Sequence, residues 1–474
     1  MEQEKKLKLN WKNTFKIGFA FFGILMLWQI YNHYCPIILE ELFKEMFGPE
    51  KDYFLITGII MALDNVVAII IMPIFGKLSD GTNTKWGKRM PYILIGMLLT
   101  ILCFPFIALC FYWNSLVGVL IAMLLFLVIM QAYRSPAVAL MPDVTPKPLR
   151  STANGIINLV GYLGGVLATV LGMVFTVKAD DSLAKIQGTV LWPFVITTLV
   201  FIGVLVFLVL KVKENKLLAE TKEDMELGEK MSDTQEVIEE GDNKLSKKDL
   251  KNLMVILVAI FLWFMSFNAY ETFGSLYFKN VVGNSGVFGT MATVLSVTSI
   301  LSFILFSGLS NKIGRKWTVI LGLCLMVLSL VLISLVSVLP GIVFADQEGK
   351  VFFGWTIFFI GMAAIMGVGW ALININSFPM IVEFSNRQHL GKFTGYYYFA
   401  SMLAQSITPI LVGLIMVNSN LALRLLFIYS AVLMILSLGV FFVVKEKYTL
   451  KERIEMSKSE EKKSALERIG EMDD

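Results

Sequence analysis

Three ionisable residues stand in stretches that are otherwise almost wholly apolar. Asp64 lies in IIMALDNVVAIIIMPIFG, Arg134 in LVIMQAYRSPAVALM and Glu271 in LWFMSFNAYETFGSLYF. At the centre of a membrane helix each charge costs about 2.5–3.5 kcal/mol on insertion scales. Three uncompensated charges cost roughly 8–10 kcal/mol, comparable with the whole stability of a typical domain. Such residues must therefore face water, one another or a bound molecule. Asp64 and Arg134 read as a charge pair lining a polar cavity, or as an ion pair that locks neighbouring helices. Glu271 is open to the same two readings. A carboxylate in a partly dry cavity favours its neutral form, so it can take up a proton on one side and release it on the other. With two acids and one arginine, one acid can pair while the other cycles a proton, and the sequence leaves open which. Sodium is less favoured than a proton: it wants several oxygen ligands together, and Asp64 and Asn65 leave different faces of a helix.

Uncharged polar and aromatic residues accompany these charges. Trp28 and Asn32, Asn158 and Tyr162, and Trp370 and Asn374 are each four apart, the spacing that places both on one helical face. Gln131 and Asn268 add amides beside Arg134 and Glu271. Aromatic faces with neutral hydrogen-bonding groups suit sugar-like molecules. These eight residues are thus candidate substrate ligands, and each alone reads equally well as helix packing. The four cysteines form no CxxC pair, and His33 and His389 are the only histidines. A His-based metal cluster is excluded, and no cofactor is expected beyond a coupling ion. There is no nucleotide loop and no Ser/His/Asp arrangement, so no enzyme is expected. Nothing points to a nucleic-acid partner, and a monomer in a lipid bilayer is expected.

The elements that must carry these residues follow from composition. The chain is 56% hydrophobic and 16% charged, against about 25% charged for soluble proteins. Apolar runs long enough to cross a bilayer predict twelve spans, at 14–37, 54–77, 91–112, 116–141, 151–177, 190–211, 252–281, 287–310, 317–339, 352–382, 392–417 and 422–444. The first is preceded by a basic segment and followed by no small-x-small cleavage site, so it reads as a retained span. The fold class is an all-α polytopic membrane protein. Its domains are a six-helix bundle over 1–212, a polar linker over 213–250, a second bundle over 251–444 and a tail over 445–474. The linker ends in SKKDLKNL, where Ser246 and Asp249 resemble a capping box. Lys and Arg concentrate on the side of the N-terminus, the linker and the tail. The other side holds only Lys44, Lys51, Lys178, Lys185, Lys279, Lys350 and Arg424. By the positive-inside rule both termini are cytoplasmic, and a plasma-membrane location is expected.

The halves echo each other. GKLSDGTNTKWGKR (76–89) joins spans two and three, and GLSNKIGRK (308–316) joins spans eight and nine. Asp143 precedes Gly155 by the same interval that separates Glu383 from Gly395. This duplication, with a site expected between the halves near mid-depth, resembles the major facilitator superfamily over nearly the whole chain. The insertion between Asp80 and Gly87 and the ending KRMPYI resemble the sucrose transporters and the glycoside–pentoside–hexuronide cation symporters. SPAVALMPDVTPKPLRSTAN (135–154) and YETFGSLYF (270–278) are similar to their span-four and span-seven motifs. Val138 stands where that group usually has Arg, and Arg134 lies one helical turn earlier. The resemblance implies alternating access and symport of a sugar or glycoside. It also implies a cytoplasmic gate in which Asp80 and its basic partners Lys88 and Arg89 latch the inner side, with Asp143, Arg150 and Glu383 in the same role. Asn311 replaces the acid in the second copy, which predicts a weaker latch there. An exporter of another small molecule, or a non-transporting sensor or scaffold, remains the alternative.

Overall fold

The computed structural model describes residues 7–49, 52–238, 247–306, 308–346, 348–384, 390–417, 421–446 and 452. Lys51, Ser246, His389 and nearly all of the tail lie outside the described residues. Twelve helices are long and apolar enough to cross a membrane. In the first half these are α1 (Trp11–Phe47), α2 (Phe54–Asp80), α3 (Met90–Tyr112), α4 (Leu116–Asp143), α5 (Arg150–Val174) and α6 (Leu183–Lys211). A polar helix, α7 (Glu214–Ile238), follows within the segment read as a linker. The second half contains α8 (Lys247–Tyr277), α9 (Gly286–Leu305), the single turn α10 (Ser310–Ile313), α11 (Arg315–Val338), α12 (Phe353–Val382), α13 (Leu390–Val417) and α14 (Leu425–Val443).

Backbone donors and acceptors must be satisfied within each span, because lipid offers no partner. Unbroken apolar runs of this length can do that only as helices. Their outward faces carry residues such as Ile69, Ile70, Leu102, Val117 and Leu199, all exposed as a lipid-facing surface would be. The end holding the N-terminus, α7 and the α10 turn is called the basic end below, and the opposite end the far end.

The helix pairings repeat between halves. Within the first, α1 packs on α5, α3 on α4, and α3 on α6; within the second, α8 packs on α13, α11 on α12, and α11 on α14. The halves meet where α2 packs on α13, α5 on α9, and α1 on α8. These seams are close. A Cβ on Gly58 would run into the Pro409 carbonyl, and one on Gly289 into the backbone of Gly172 and Met173. Small residues at such crossings let helix backbones approach directly.

Helix α1 continues ten residues past its expected limit of 37, through Glu40, Glu41 and Lys44, and α6 starts at Leu183, seven residues before 190. Helix α8 passes into a π turn, Phe278–Val282, that carries Lys279 and ends close to the expected limit of 281. Apolar length does not predict the polar extension of α1, which Lys279 holds through Glu40 and Glu41.

Candidate functional site

The three charges occupy two places. Asp64 is buried on α2, where the Gln131 amide of α4 donates to its Oδ1 at 3.1 Å. Arg134, one turn further along α4, acts on Asp64 through charge without a direct ion pair among the described residues. Its guanidinium carbon sits 5.7 Å from the centroid of the Trp28 ring on α1, within cation–π range. The Gln131 Oε1 and the Tyr31 hydroxyl are buried without a protein partner, and Tyr31 lies within electrostatic reach of Asp64. Buried polar atoms are normally satisfied, so these orphans mark a place for water or hydroxyl groups. Helices α1, α2 and α4 thus assemble an acid, an amide, a guanidinium and an aromatic face within one half.

Glu271 lies elsewhere, on the seam. A cavity of about 40 Å³ is lined by Gln29 and Thr169 from the first half and by Phe267, Tyr270, Glu271, Phe288, Ala292, Leu295 and Ser296 from the second. No hydrogen bond or ion pair reaches the Glu271 carboxylate among the described residues. Beside it Thr293 donates to Thr169 across the seam at 2.9 Å. The Tyr270 hydroxyl and the Asn268 Oδ1 are further buried orphans.

The other candidate ligands divide. Trp370 stacks on Phe267 at 4.0 Å and 17°, which brings it to the Glu271 side. Asn374 donates to the Trp370 carbonyl at 2.8 Å, so its amide is used within its own helix. Asn32 and Asn158 are half-buried. Tyr162 stacks on Phe303 across the seam and lies within electrostatic reach of Glu271. Tyr162 and Tyr398 remain 39% and 54% exposed. Yet Tyr398 lies within electrostatic reach of both Arg134 and Tyr162.

The far end is closed by polar contacts between the halves. Lys279, 1% exposed in its side chain, binds Glu40 at 2.8 Å and also binds Glu41. Asn280 donates to Glu40 at 2.7 Å. The Val177 N–H donates to the Ser285 hydroxyl at 2.8 Å, and the Ser285 N–H returns a bond to the Val177 carbonyl at 2.9 Å. The Lys178 ammonium donates to the Glu348 carbonyl at 2.5 Å.

At the basic end, Arg89 gathers the sequence-predicted gate residues of the first half. Its Nε donates to Asp143 at 2.8 Å, its Nη1 to the Ser79 hydroxyl at 2.5 Å, and its Nη2 binds Asp80. Burial works against the Arg89 charge, but bonds and charges from Asp143 and then Asp80 outweigh it and raise its pKa above the ordinary value. Lys88 joins Asp143 at 3.1 Å. Arg150 is not part of this cluster: it donates to the Thr145 and Pro142 carbonyls at 3.1 and 3.0 Å. The second half repeats the theme with Arg315 bound to Glu383. Among the described residues the Arg89 cluster binds within its own half.

Sequence reading missed two acids here. Glu214, fully buried, accepts the N–H groups of Lys88, Arg89 and Met90 at 2.8–3.1 Å, capping the start of α3. Glu446 accepts the Lys316 N–H at 2.6 Å at the start of α11. A carboxylate at a helix N-terminus meets unpaired donors and the positive end of the dipole. The available signal was a repeat, Val-Lys-Glu at 212–214 and again at 444–446, just after the sixth and twelfth spans. Glu214→Ala should destabilise the first half by about 2 kcal/mol, because buried donors lose their acceptor. A thermal melt in detergent checks this; Glu214→Gln, which keeps one acceptor oxygen, should lose less.

Two pseudo-equivalent six-helix halves, closed at one end over polar groups at mid-depth, define a polytopic membrane carrier. The model of the Major Facilitator Superfamily matches residues 17–345 and, in an overlapping second match, 282–468. The chain belongs to that superfamily. A lactose permease from Lactobacillus helveticus is 32% identical over 83 residues, a stretch that spans 17% of this chain and only 12% of that relative's length. Among solved structures, a D-xylose–proton symporter superposes with a TM-score of 0.62 at 11% identity, covering 92% of this chain and 99% of that one. A peptide transporter in complex with alafosfalin gives 0.65 at 13% identity, covering 91% and 93%. A nucleoside transporter gives 0.58 at 13% identity, covering 93% and 100%. At these identities the superpositions show the fold alone.

Proposed function

We propose that this chain moves a sugar or glycoside across the plasma membrane by alternating access, coupled to protons, with its basic end in the cytoplasm. The Asp64–Gln131–Arg134–Trp28 constellation carries this reading. It offers a hydroxyl-binding carboxylate and amide, a guanidinium and a ring face at mid-depth, the combination that recognises a polyhydroxylated ring. The concentration of Lys and Arg at one end supports the orientation. The likeness to a lactose permease and to a xylose–proton symporter favours sugars. The peptide and nucleoside transporters sharing the fold make those substrates the comparison set.

The test is uptake into proteoliposomes of labelled lactose, D-xylose, a dipeptide and uridine, with and without an imposed proton gradient. Gradient-dependent accumulation of lactose or xylose is expected. Accumulation of only the dipeptide or the nucleoside overturns the substrate class, and sugar accumulation that ignores the gradient overturns proton coupling.

A further inference from the structure

The two carboxylates differ in what would happen to them if the halves moved. In a carrier of this type the halves rock against each other largely as rigid bodies. Asp64 is bonded and charge-balanced by α4 of its own half, through Gln131 and Arg134. Those partners travel with it. Glu271 belongs to one half and faces Gln29 and Thr169 of the other across a cavity with room for a few waters. When the seam opens, its surroundings change from protein to water. An acid can exchange its proton with alternate sides only if its surroundings alternate.

Resting on the transport reading above, we propose that Glu271 is the residue that carries the coupling proton, and that Asp64 is a fixed substrate-binding group. With the far end open, the Glu271 carboxylate takes a proton from water on that side and becomes a neutral acid. It can then sit in the closed seam without a cationic partner. With the basic end open, it returns the proton to water there. The ionisable groups that face it are Tyr270 on its own helix and Tyr162 on α5. His33 on α1 stands one ring away, its centroid 5.3 Å from that of Phe288 in the cavity wall. Further off at the far end are Glu40, Glu41, Lys44 and Lys279, which are paired with one another.

The deciding measurement needs no substrate. Spin labels are placed at Lys85 and Lys312, both exposed at the basic ends of the two halves, on a cysteine-free background. Inter-label distance distributions are recorded in nanodiscs from pH 5 to pH 9. The expected result is a pH-dependent redistribution that Glu271→Gln abolishes, Asp64→Asn preserves and Glu271→Asp restores with a displaced midpoint. A response that persists in Glu271→Gln, one that vanishes in Asp64→Asn, or none in the native chain overturns the assignment. Lactose binding by calorimetry on the same samples is a separate readout. If lactose and the other probes fail to bind while the pH pattern holds, the substrate reading fails and the proton assignment stands.

Discussion

Arg134→Ala should lower uptake of the transported substrate by about 100-fold or more, because removing one partner from a buried charged set costs about 3–5 kcal/mol. The guanidinium balances Asp64 through charge and covers the Trp28 ring. Without it, Asp64 keeps one amide bond from Gln131 and no nearby cation. Two effects then act together: the carboxylate is uncompensated at membrane depth, and the ring loses the cation over its face. Arg134→Lys keeps the charge but not the planar fork, so it should recover stability and membrane content with much less recovery of uptake. The check is uptake normalised to protein in the membrane. Near-native uptake by Arg134→Ala would remove this residue from the site. Full recovery by the lysine variant would reduce its role to charge balance.

Lys279→Ala should release the far end. Lys279 is the cation from the second half that binds Glu40 and Glu41, which Lys44 of α1 also contacts; Lys279 and the two acids are largely buried where α1 of one half meets the π turn after α8 of the other. Truncation removes the cation that joins the halves in the closed state and leaves Lys44 of α1, 2.9 Å from Glu40, as the remaining partner of the two acids. The closed state alone loses the charge-assisted bonds to Lys279, about 1.5–3 kcal/mol. A difference of that size moves a two-state ratio by about 10-fold or more. The population open at the far end should therefore rise. Spin labels at Asp52 and Val343, both exposed on far-end loops of opposite halves, read the change as longer distances. Lys279→Arg should hold the native distribution. Unchanged distances in Lys279→Ala would show that the remaining contacts, Val177–Ser285, Asn280–Glu40 and Lys178–Glu348, are enough to close the far end.

The sequence alone was enough to find Asp64, Arg134 and Glu271, because a charge in an apolar run is conspicuous whatever surrounds it in space. The same reading expected Arg134 to be the direct partner of Asp64. The structure gives that bond to Gln131 and sets Arg134 against Trp28. Both lie on the same helix within one turn, and only the angle at which α4 crosses α2 decides which reaches the acid. Lys279, Glu40 and Glu41 drew no notice as isolated charges near span ends. Lys279 and Glu40 meet across 239 residues of chain, a separation that no local pattern encodes. Glu214 and Glu446 read as ordinary linker and tail charges, although their shared Val-Lys-Glu context in the two halves was visible.

The amino-acid sequence by itself determined twelve spans, the duplicated halves and the sided distribution of basic residues. Those properties depend on transfer of each segment between water and lipid, which is a function of local composition. The tertiary structure decided which groups meet: the acid held within one half, the acid left on the seam, and the lysine that closes the far end. Such contacts depend on helix crossing angles and on the relative placement of the two halves, and these are set by packing over the whole molecule.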